Sequence, residues 1–150
     1  METSDLFNVL KEQYESLQAY LGILIKHQEA IISGNIDELE KTIKNEGALS
    51  IVVENYRNKI VNVIKNLSGK YLLKLKNYRL SDFITAVKSN ERYDTDKLSK
   101  MQNSLTKMGN EIIKVNNQNK LLIDQARYLI KGTISIIVNE NNVPILDRTI

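Results

Sequence analysis

The chain has 150 residues with no Cys, no Trp, one His and one Pro, and 21 basic against 18 acidic side chains leave it at +3. Without Cys it has no disulfide, thiolate zinc site, iron–sulfur cluster or nucleophilic thiol, and a lone His leaves most metal sites and the Ser-His-Asp constellation with only one candidate residue each. No apolar run approaches a membrane span and the N-terminus lacks a basic signal region, so a soluble, cytoplasmic, single-domain, non-enzymatic protein is expected.

Apolar spacing predicts a first helix over about residues 4–33. Phe7, Leu10, Tyr14, Leu17, Leu21 and Leu24 recur at alternating steps of three and four, and the series continues through Gln28 to Ile31. That is the period of a coiled-coil seam. Gly34 sits where a left-handed residue closes a helix. The second helix is expected over about 36–67, capped by Asn35 or Asp37, with Asp37 and Glu38 at its positive dipole end. Ile36, Leu39, Ile43, Leu49, Val52 or Val53, Tyr56, Ile60, Ile64 and Leu67 carry its seam, interrupted by Glu46, Gly47 and Ser50, and Ser68-Gly69 closes it. So short a connection folds the two helices into an antiparallel hairpin.

Residues 70–93 are the least regular. Tyr71 to Leu75 would make a strand with no partner, so the stretch reads as the hairpin's end. A short connecting helix over 82–90, capped by Ser81-Asp82, then covers one end of the bundle with Phe83, Ile84 and Val87. The longest helix is expected over 95–138, capped by Asp94, Thr95 or Asp96. Leu98, Met101, Leu105, Met108, Ile112, Val115, Asn119, Leu122, Ala126, Leu129, Thr133 and Ile136 follow a strict three-four repeat. Residues 139–150, with Asn141-Asn142 and Pro144, read as a flexible tail. The expected fold is all-α: an antiparallel hairpin, a short connecting helix and one long C-terminal helix in a coiled-coil-like bundle.

Charge is distributed unevenly. Residues 1–46 carry 4 basic and 9 acidic side chains, whereas residues 47–88 carry 8 basic and 2 acidic. The expected use of this basic zone is to face the acidic first segment across packed helices; a phosphate-binding surface is the alternative. His27 reads as a solvated surface residue. The glycines stand alone, so there is no phosphate loop, and no metal, cofactor or nucleic acid is expected.

The long helix is asymmetric. From Leu98 to Glu111 its off-seam positions are nearly all polar, whereas Ile113, Ile123, Ile130, Ile134 and Ile137 form a second apolar set in its C-terminal half. Full burial of each is worth roughly 1.5–3 kcal/mol, so this face needs a cover. The hairpin gripping it from both sides, a homodimer and an amphipathic helix from a client protein are the three candidates. Asn119 falls on the seam, where a buried amide fixes register; alternatively Asn116 and Asn119 face a groove and bond a partner.

Several pieces, taken in order, resemble the FlgN family of flagellar export chaperones. They are the N-terminal heptad helix and the turn Ser33-Gly34-Asn35-Ile36-Asp37-Glu38-Leu39, then the second helix with its Glu46 to Leu49 segment. After these come the connector Leu80-Ser81-Asp82-Phe83-Ile84 and the signature Asn116-x-x-Asn119-x-x-Leu122-Ile123. The resemblance covers about residues 5–138. It implies a cytoplasmic chaperone without ATPase activity that binds the C-terminal helical segment of hook-associated proteins. Such a chaperone prevents their premature assembly and delivers them to the type III export apparatus, with no membrane insertion. On that reading the client-binding residues are Asn116, Asn119, Ile123, Ile130, Ile134 and Ile137. The alternative is a non-enzymatic coiled-coil adaptor that self-associates through its long helix.

Overall fold

Chain direction first reverses at Gly34, which sits in the left-handed region at φ 65°. Its N–H donates to the Ile31 carbonyl (3.3 Å) and that of Asn35 to the Ala30 carbonyl (3.1 Å), so the last free carbonyls of the helix are satisfied within the turn itself. Asn35, not Asp37, caps the next helix, its side chain accepting from the Glu38 N–H at 3.1 Å. The computed structural model describes the backbone of residues 2–149 and the side chains of residues 4–139. These residues form an all-α bundle of four helices: α1 (Glu2–Ser33), α2 (Ile36–Lys70), α3 (Leu80–Val87) and α4 (Thr95–Thr149).

α2 outruns its expected end at Ser68-Gly69. Ser68 is buried, its hydroxyl donating to the Ile64 carbonyl (2.7 Å), and the helix runs on through it. Closure comes later, with Leu73 N–H on the Ser68 carbonyl (2.9 Å) and Leu72 N–H on the Gly69 carbonyl (3.4 Å). This repeats the hydrogen-bond pattern at Gly34, but the left-handed position is held by Leu72, at φ 53°. In the stretch that follows, Tyr71, Leu73 and Leu75 pack on the core while Leu72, Lys74 and Lys76 point outward. α3 starts at Leu80, before the expected 82, and ends at Val87, short of 90. It has no side-chain cap, and the burial of Phe83, Ile84 and Val87 is what holds it. α4 is capped by Asp94, whose carboxylate accepts from the Lys97 N–H at 3.0 Å.

α1 is the central helix. It packs against both α2 and α4, whose backbones stay apart from each other among the described residues. α4 runs parallel to α1: Lys97 lies over the Phe7 ring at 4.0 Å, and the Gln28 amide donates to the Gln118 carbonyl at 3.2 Å. The core is concentrated at one end, where Leu6 and Leu10 of α1 meet Ile64 and Leu67 of α2. Phe83, Ile84 and Val87 of α3, Tyr93 and Leu98 complete it. Tyr93 stands edge-on to both Phe83 (5.3 Å) and Tyr71 (6.0 Å), the arrangement aromatic quadrupoles favour.

Two expectations are overturned. The flexible tail at 139–150 is replaced by helical backbone as far as Thr149, with Pro144 inside it. Extending an existing helix needs no new nucleus, and this segment contains no glycine to stop it. His27 is not a solvated side chain: it is buried between α1 and α2, where Nδ1–H donates to Glu46 Oε2 at 2.7 Å. Glu46 breaks the apolar stripe of α2 because its carboxylate faces that imidazole.

Candidate functional site

α1 ends at Ser33, and the 90-residue offset that pairs Gln28 with Gln118 brings that end level with Ile123 of α4. Beyond Ala126 no described residue of another helix covers α4. Every side chain from Arg127 through Asn139 is exposed. The hairpin therefore does not grip the C-terminal half of α4 from either side.

The six residues proposed from sequence divide accordingly. Ile130, Ile134 and Ile137 are exposed, at 59%, 56% and 51%. Ile123 is half-buried at the level where α1 stops, and Asn116 is half-buried further in. Asn119 is buried and donates from Nδ2 to the Leu24 carbonyl of α1 at 2.9 Å, so it sets the α1–α4 register and is not presented to a partner. Its Oδ1 is buried with no partner among the described residues.

Periodicity gives no sign of four further members of the surface. Leu129 and Ile136 belong to the main three-four seam, yet both are exposed, as are Tyr128 and Val138. A three-four repeat shows which face of a helix is apolar and is silent on where its neighbour ends. The available signal was length: in a parallel pair, a 55-residue helix beside a 32-residue one must project. Past Ala126 both stripes, Leu129-Ile136 and Ile130-Ile134-Ile137, stand in solvent on the same projecting rod. Apolar positions this dense on a single helix offer no catalytic chemistry; they offer area to another amphipathic helix.

Among the described residues, the contacts of the basic zone are local to its own part of the chain. Arg57 lies 3.7 Å from Glu54 on its own helix, and other cations cover tyrosine rings, Lys59 on Tyr56 and Lys65 on Tyr78. No described helix is long and apolar enough to cross a membrane.

A scan of protein families matches residues 1–145 to the family described as FlgN protein. Comparison with curated proteins and with solved structures returns no match.

Proposed function

The chain belongs to the FlgN family of flagellar export chaperones, and from that premise we propose that it serves in the cytoplasm as a chaperone of hook-associated proteins, the proteins joining hook to filament. It covers a client's C-terminal helical segment, keeps that segment from assembling early and hands the client to the type III export apparatus. The observation that supports this reading is the projecting end of α4, apolar on two stripes and uncovered from Arg127 to Asn139. A client segment that polymerises through apolar helices needs a temporary apolar partner of this shape. The contact centres on Ile130, Ile134 and Ile137 with Leu129 and Ile136, and Ile123 and Asn116 mark its inner margin.

The test is light scattering after size exclusion, with the protein alone and mixed with hook-associated proteins of the same organism. A defined complex is expected, lost when the client's C-terminal helix is deleted. Ile130→Asp with Ile134→Asp should weaken it by at least about tenfold, while exposed positions of this kind change stability by only about 0.5 kcal/mol. A stable homodimer that ignores every such client would instead make the same stripes a self-association seam, and the adaptor reading would replace this one.

A further inference from the structure

The end of α2 breaks a local rule twice without structural return. In the closing turn of a helix the left-handed position suits glycine, since a Cβ there crowds the backbone. The chain meets that rule at Gly34 and departs from it at Leu72, whose φ is 53°. Packing does not compensate, because Leu72 is 88% exposed, the most exposed large apolar residue described. A strained backbone holding an apolar side chain out in water is a feature of contact sites.

Its surroundings carry the second observation. From residue 55 to residue 81 there are seven basic side chains (Arg57, Lys59, Lys65, Lys70, Lys74, Lys76 and Arg79) and no Asp or Glu. Alternation in the segment after α2 turns Leu73 and Leu75 inward and Lys74 and Lys76 outward beside Leu72. Lys65 and Lys74 flank an open recess next to it, also lined by Gly69, Leu73 and Tyr78. The Lys65 ammonium is stationed there over the Tyr78 ring at 6.0 Å.

We propose that this tip docks on an anionic lipid bilayer, with Leu72 entering the interface and Lys65, Lys74 and Lys76 meeting lipid phosphates. One apolar side chain ringed by lysines lacks the broad, packed area a specific protein interface requires. It suits a partner that demands no shape complementarity, only negative charge over an apolar interior. The docking is peripheral, by a single side chain and a set of cations. It uses the end of the bundle opposite the projecting α4 and stands independently of client binding.

Flotation of the full chain with vesicles tests it. Association with vesicles containing about a third phosphatidylglycerol, and not with pure phosphatidylcholine, is expected, weakening steeply as salt is raised. Lys74→Glu with Lys76→Glu should reduce it by at least about tenfold with the helical circular dichroism unchanged. Leu72→Gly separates structure from contact: it should raise the thermal midpoint by relieving the backbone, yet lower vesicle association about fivefold. Equal association with both vesicle types, none at low salt, or charge-reversed variants that float like the parent would overturn the proposal. Retention on polyglutamate without flotation on phosphatidylglycerol would overturn it too, assigning the tip to an acidic protein.

Discussion

Asn119 of α4 reaches the Leu24 carbonyl of α1 at 2.9 Å, a contact between residues 95 apart in sequence that fixes how far one helix has slid along the other. Because Asn119 Oδ1 is buried without a partner among the described residues, replacing the amide by an apolar side chain of similar size removes a desolvation penalty along with the bond. Asn119→Leu is therefore expected to stabilise the fold by about 1 kcal/mol in urea unfolding, and Asn119→Ala to destabilise it by about 1–2 kcal/mol. The register should loosen in both. A disulfide between cysteines placed at Gln28 and Gln118, rapid in the parent, should form more slowly and compete with neighbouring pairings.

The His27–Glu46 contact is a polar tie between α1 and α2. Removing the carboxylate leaves a buried imidazole with neither nitrogen partnered, since Nε2 has no partner among the described residues. Glu46→Ala should cost about 1–3 kcal/mol and Glu46→Gln, which keeps an acceptor, clearly less. A double-mutant cycle with His27→Ala measures the coupling; a value near zero would remove this pair from the account of the hairpin.

Tyr20 supplies a pH dependence. Burial, with the nearby Glu46 carboxylate adding to it, holds its phenol above the ordinary 10.0. Between that value and the native one, the unfolded chain binds fewer protons than the folded chain, so stability falls as pH rises through this window. Below the ordinary value the contribution is fully present. Tyr20→Phe cannot lose it, and its urea midpoint should fall less steeply than the parent's as pH rises above the ordinary 10.0.

Hydrogen exchange should divide α4 in two. Amides near Val115 and Asn119 lie in a helix packed on α1, whereas those from 127 to 139 have no side chain buried against anything. An unpacked helical end is marginal in water. Rapid exchange is expected there in the free protein, slowing by at least about tenfold once a client covers it; unchanged exchange in a complex of proven stoichiometry would move the contact elsewhere.

Much of this architecture is legible in the sequence because it rests on local rules. Gly34 with Asn35 defines the hairpin turn and Asp94 the start of α4; the first and second long helices end within a few residues of where the spacing places them. What escapes is non-local. The most buried face of α1 includes Gln13, Ser16 and His27, polar residues beside the expected seam, because α1 packs against two helices and hides a broader arc than a two-helix seam would. The partner of His27 lies 19 residues away on another helix, and no window along α1 contains it. For the client surface, the isoleucines were legible as an excess of apolar positions, while Leu129 and Ile136 were masked by belonging to a repeat that elsewhere is packed.

The parallel pairing of α1 and α4 has an electrostatic corollary. It separates the lysine-rich end of α2 from the projecting end of α4 by the length of α1, 32 residues or about 48 Å. Mobile ions at physiological strength screen a surface field with a decay length of about 8 Å, one sixth of that span. Salt is therefore expected to adjust whatever the cationic end holds while leaving the apolar end untouched, so a single salt titration can release one occupant and retain the other.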